Sequence, residues 1–257
     1  MVHLRWADRT AQDYAELVRL VPDAALASPR RSTVPLLDMC RDPQAIVAQL
    51  GRIAGYALRD PVKLSFEHEV PVQKGRGKPS CTDLMVLGSD AAIAVEAKYT
   101  EPAYESVGEW LGAARDTNRG QVLDGWLGVL ERTAGRKIPA ADVTDLPYQL
   151  VHRCASAAIV DRPKKALAYL VFGSDVAAHY RTHLAQLHEI LGGRAELPFL
   201  LIRCAMEPSA SMQELTERWN AGERSLGKDV REALLCGPLF AFGALETLYG
   251  SAQQIRL

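Results

Sequence analysis

The sequence predicts an α/β protein with a central mixed β-sheet flanked by helices, and three observations lead there. Ile46, Val47, Leu50, Ile53, Ala54 and Ala57 recur at helical spacing, and KLSFEHEVPVQ then alternates as a strand does. Two β-rich runs, CTDLMVLG and AAIAVEAK, are parted by Gly88-Ser89-Asp90, which is a hairpin signal. ALAYLVFG is apolar throughout, as expected of a strand covered on both faces.

Taken in order, residues 1–42 read as an amphipathic helix near Thr10–Leu20 followed by an irregular Pro-rich segment containing SPRRSTVP. Asp42-Pro43 then caps and starts a helix running to Leu58, where Asp60-Pro61 stops it. A strand over 62–72 leads into a basic turn, Lys74-Gly75-Arg76-Gly77-Lys78-Pro79, and the hairpin spans 80–98. Residues 104–132 carry a helical pattern, 133–147 a loop, and 148–160 a further helix before the strand 166–172. A helix over Val176–Leu191, a strand at LPFLLIR and one or two helices complete the chain. The expected organisation is one domain over 1–257. Its core lies at about 43–172, with an N-terminal arm (1–42) and a C-terminal α/β extension (173–257) as decoration.

Composition narrows the function classes. The 257 residues hold 30 Lys+Arg against 31 Asp+Glu, a net charge of -1, which argues against coating nucleic acid or membrane through bulk positive charge. Of those basic residues 22 are Arg, which favours forked contacts to carboxylate or phosphate. The five cysteines stand singly, so a zinc ribbon or disulfide framework is not expected and a reducing, cytoplasmic setting fits. No signal-like or membrane-spanning apolar run is present, so no membrane partner is expected.

The residues that carry chemistry are Asp83 and the tripeptide Glu96-Ala97-Lys98. Strand positions two apart share a face, so Glu96 and Lys98 project together while Ile93 and Val95 face the other way. An antiparallel hairpin turning at 88–90 brings Asp83 opposite the Glu96 end. Two carboxylates and one ammonium at one hairpin end suit metal-assisted phosphodiester hydrolysis. Mg²⁺ takes carboxylate and carbonyl oxygens and keeps waters for substrate. With 16 Glu and 8 Lys, E-x-K arises by chance about half the time, so only its context counts. The competing explanation is a Glu–Lys pair on a solvated edge strand, where lysine guards against aggregation.

The arrangement of helix 43–58, strand 62–72, hairpin 80–98, helix 148–160 and strand 166–172 resembles the PD-(D/E)xK nuclease superfamily, the fold of many restriction endonucleases. Thr82-Asp83 stands for the Pro-Asp pair and Glu96-Ala97-Lys98 for the second half-motif. The resemblance implies a restriction-endonuclease-like core and a Mg²⁺-dependent nuclease, with Mn²⁺ as a substitute. It places the metal on Asp83, Glu96 and the Ala97 backbone carbonyl, and makes Lys98 the catalytic lysine. Its partner is nucleic acid, DNA foremost, in restriction, defence or repair, and a homodimer suits cutting of both strands. Some members are inactive binding modules, which is the alternative for this chain.

Further candidates surround that set. Glu69, ahead of Glu67, is the acidic supplement to the metal site. Gln149 and Arg153 on the helix after E-x-K are substrate-positioning candidates, and Lys74, Arg76 and Lys78 are candidates for phosphate contacts. His152 reads as a surface or satisfied histidine, and His179 and His183 as an i, i+4 pair lacking an acidic partner. Replacing Asp83, Glu96 or Lys98 by alanine is expected to abolish cleavage and leave thermal stability nearly unchanged.

Overall fold

A computed structural model describes residues 1–101, 104–112, 118–173, 177–193 and 196–251. Residues 113–117 of the expected 104–132 helix, and Val176, lie outside them. Helix α3 (Pro43–Ala54) begins as expected, with the Asp42 carboxylate accepting the N–H groups of Gln44 (3.1 Å) and Ala45 (3.0 Å). It stops short of Leu58 because Gly55 turns left-handed (φ 71°) and the Tyr56 N–H bonds back to the Gly51 carbonyl at 2.8 Å.

Strands β3 (Val62–Val70), β4 (Ser80–Leu87) and β5 (Ala91–Lys98) form an antiparallel meander, with Phe66 opposite Leu84 and Leu84 opposite Val95. The chain then crosses one face through α4 (Val107–Leu111), α5 (Asn118–Ala134) and α6 (Tyr148–Ile159). It returns as β6 (Lys164–Phe172), parallel to β5. Helix α7 (Ala177–Ile190) leads to β7 (Phe199–Pro208), parallel to β6.

The flanking segments are not decoration. Where only a helix and an irregular stretch were expected, β1 (Val2–Trp6) pairs parallel to β3 and β2 (Arg9–Ala11) pairs with β1. Helices α1 (Tyr14–Leu20) and α2 (Thr33–Met39) follow. Beyond α8 (Ala210–Asn220) and α9 (Gly227–Cys236), an unexpected β8 (Phe240–Gly250) pairs antiparallel to β7. The result is one eight-stranded mixed sheet, β2-β1-β3-β4-β5-β6-β7-β8. The strands missed at each margin alternate weakly, since a margin strand buries little of one face.

Each face carries its own core. Leu64, Phe66, Ile93 and Val95 pack under α1–α3, α8 and α9, whereas Met85, Ala94, Leu167 and Tyr169 pack under α4–α7. Asp38 joins the chain's two ends: buried on α2, it accepts the N–H groups of Leu239 and Phe240, both at 2.8 Å, and the Arg41 Nε at 2.6 Å. Among the described residues no helix is long and apolar enough to cross a membrane.

Candidate active site at the end of the β4–β5 hairpin

The β4–β5 ladder ends at the Leu84–Val95 pair, and Asp83 and Glu96 are the next residues on the two strands. The Ala97 N–H donates to Asp83 Oδ2 at 2.7 Å, tying the carboxylate across the hairpin. Lys98 Nζ donates to Glu96 Oε1 at 2.6 Å and sits 4.6 Å from the Tyr104 ring centroid. Glu96 and Lys98 are 1% and 2% exposed, and β5 lies between β4 and β6 with every residue buried. A solvated edge pair is therefore not what E-x-K represents here. Asp83, Glu96 and Lys98 converge on the face covered by α6, and Ile93, Val95 and Ala97 pack on the opposite face.

Helix α6 supplies the next ring of contacts. Arg153 Nε lies 2.5 Å from Glu96 Oε2, and Arg153 Nη1 donates to Ser80 Oγ at 2.9 Å. Ser80 Oγ also meets Ser156 Oγ and His152 Nδ1, both at 2.8 Å. Arg153 thus points into the carboxylate cluster rather than out toward a phosphate, and His152 is a half-buried, hydrogen-bonded histidine. Ser80 and Ser156 were not singled out in the sequence; an isolated serine in a strand or a helix carries no signal of a polar hub.

The charges shape each other. Burial and the adjacent Glu96 push the Asp83 carboxyl well above the usual range, opposed by Lys98 and Arg153. Burial would also raise Glu96, but Arg153 and Lys98 overcome it and hold that carboxylate ionised. Burial would lower Lys98, and Glu96 and Asp83 instead keep it firmly protonated. His152 is lowered to about 3 by burial and by Arg153 beside it, so its imidazole is neutral.

The two acids of β3 are placed in the reverse of the expected order. Glu69 is exposed, whereas Glu67 is half-buried and accepts the Cys81 thiol at 2.8 Å. Burial raises the Glu67 carboxyl, and Glu67 is among the charges that raise Asp83. Its φ of 49° is left-handed, a costly conformation for a non-glycine residue. Strict alternation breaks there: Val62, Leu64 and Phe66 belong to one core and Val70 to the other.

Lys74, Arg76 and Lys78 sit exposed on the loop between β3 and β4. That loop is anchored to α5, because Asn118 Oδ1 accepts the Arg76 N–H at 2.6 Å. Gln149 is buried and lines a cavity of about 40 Å³ with Tyr104, Tyr169 and Tyr180. The same cavity is lined by His179 and His183, whose rings are 6.4 Å apart.

Among the described residues no three His, Cys, Asp or Glu side chains gather as a metal-holding group. Asp83, Glu96 and the Ala97 carbonyl nevertheless fit a hard divalent cation in kind, since Mg²⁺ needs only one or two carboxylates besides its waters and substrate. Asp83 is raised by burial and then by the Glu96 beside it, and a cation relieves the repulsion between the two carboxylates. For Glu96 to take part, Arg153 or Lys98 must yield one of its oxygens.

No curated protein and no solved structure matches the chain. A family model described as a domain of unknown function (DUF6946) matches residues 10–200, which reaches from β2 through the hairpin and α6 to the start of β7, and the chain belongs to that family.

Proposed function

We propose that this protein is a metal-dependent nuclease that hydrolyses phosphodiester bonds of nucleic acid, DNA foremost, on a PD-(D/E)xK-type core. The observation that carries the proposal is the meeting of Asp83, Glu96 and Lys98 at one buried hairpin end, cross-tied by the Ala97 N–H. The order α3, β3–β4–β5, α6, β6 supports the restriction-endonuclease-like reading of the core. Asp83, Glu96 and the Ala97 carbonyl hold the cation. When bound, it supplies charge that polarises a phosphoryl oxygen and acidifies a water. Lys98 orients the attacking water and offsets the charge that develops on the phosphate. Arg153, Ser80 and His152 hold Glu96 in place.

Incubation of plasmid and oligonucleotide substrates with Mg²⁺ or Mn²⁺ tests the reading. Cleavage by the native protein, lost in Glu96→Gln and Lys98→Met, supports it; undiminished cleavage by a folded Glu96→Gln protein overturns it. A second reading, a nucleic-acid-binding module without activity, is favoured by one observation. Both oxygens of Glu96 already face cations, so its charge is neutralised without metal. Absence of any Mn²⁺-dependent thermal shift at millimolar metal selects this second reading.

A further inference from the structure

We propose that the groove between the 72–79 loop and helices α4, α5 and α6 binds an unpaired base of single-stranded nucleic acid together with its phosphate. This rests on the nucleic-acid reading above and narrows it to substrates with an exposed base. The groove encloses about 260 Å³, below the range of roughly 300–1,000 Å³ for drug-sized sites, and so suits one planar ring system.

Its walls match that occupant. Trp110 and Tyr148 stack with centroids 3.7 Å apart at 6°; His152 packs against Tyr148 at 4.9 Å and the Arg119 guanidinium lies over Trp110 at 5.6 Å, so a base joins this stack by displacing the exposed Arg119 from Trp110. Trp126 lines the groove at 1% exposure, with its indole N–H turned toward the Tyr148 hydroxyl. Arg76 and Lys78 stand exposed in the lining, in no ion pair among the described residues, where a phosphate is drawn to them. The loop that carries them is set in advance: Gly75 is left-handed (φ 72°) and Asn118 brackets the Arg76 backbone. Ser80 and His152 also line the groove, and Ser80 touches Arg153, which touches Glu96. The groove and the carboxylate cluster are thus separated by one guanidinium. A base inside a duplex cannot reach such a stack, because its faces are already covered.

The test is fluorescence anisotropy of labelled decathymidylate against a blunt duplex of equal length, in EDTA so that cleavage does not enter. The single strand is expected to bind at least about tenfold more tightly, and Trp110→Leu, which keeps apolar bulk without the π-face, to remove most of that difference. Arg76→Ala with Lys78→Ala is expected to weaken binding and flatten its salt dependence. Equal affinity for both substrates, no binding of either, or an unchanged single-strand affinity in Trp110→Leu and Tyr148→Leu overturns the inference. The nuclease reading fails separately: tight single-strand binding without cleavage in Mn²⁺ leaves this site standing, and duplex cleavage without decathymidylate binding removes it alone.

Discussion

Arg153 on α6 places its Nε 2.5 Å from Oε2 of Glu96 on β5, 57 residues earlier in the chain. Lys98 holds the other oxygen at 2.6 Å, so one buried carboxylate joins the central strand to the covering helix. Removing one member of a buried ion pair typically costs about 3–5 kcal/mol, because the partner is left charged and unsolvated. Glu96→Ala is therefore expected to lower the melting temperature by roughly 6–20 °C, at about 2–4 °C per kcal/mol for a chain of this size. The buried network thus argues for a thermal cost at Glu96, where the sequence alone led to the expectation of nearly unchanged stability. A melt within a degree of the native protein's would show the network to be worth little.

Arg153 and a divalent cation compete for Glu96 in the nuclease reading. Arg153→Met keeps the stem and removes the charge. It is expected to shift the Mn²⁺ midpoint of a thermal-shift titration to roughly tenfold lower metal, a coupling of about 1.4 kcal/mol. An unchanged midpoint would mean that Glu96 is not a metal ligand.

Protonation should leave a signature at His152. Its imidazole titrates near 6.5 when unfolded but only at about 3 when folded, where burial and Arg153, with Lys98, outweigh Glu96. Between those values the unfolded chain binds more protons, so this contribution is present above pH 6.5 and is lost as pH falls. Asp83 acts in the opposite sense. Its folded carboxyl is raised, so its contribution is complete below the ordinary 3.8 and disappears as pH rises through the folded value. His152→Asn should lose about 2–3 kcal/mol less stability than the native protein between pH 7 and 4.5, measured by urea unfolding. Identical losses in the two proteins would rule out His152 as the source.

The basic loop lies on Gly125 of α5, where an added Cβ would sit 2.7 Å from the Lys74 amide nitrogen. Gly125→Val should therefore lift the 73–79 segment and speed tryptic cutting after Lys74 or Arg76 several-fold, with far-ultraviolet circular dichroism unchanged. Cutting at the native rate would mean that the loop is held by Asn118 alone.

The excised segment 43–172 should not fold. It lacks β1 against β3 and β7 against β6, leaving two unpaired sheet edges, and it loses the Asp38 link between α2 and β8. A fragment with a cooperative thermal transition would restore the view of its flanks as decoration.

Local chemistry alone made much of this legible. The Asp42 cap and the proline after it announce α3, and the turn at 88–90 announces a hairpin that brings Asp83 to the Glu96-Ala97 end of β5. Period-two alternation put Glu96 and Lys98 on one face, because a strand's geometry is the same wherever it lies. Tertiary structure alone decided the rest. It placed β5 at the sheet's centre rather than its edge, turned Arg153 inward onto Glu96, and made Ser80 a hub between β4 and α6. It also brought Glu67, not Glu69, toward the cluster through a left-handed residue that no propensity foretells. These outcomes depend on which segments distant in sequence become neighbours, and the burial that follows sets both the charge states and the cost of each polar contact.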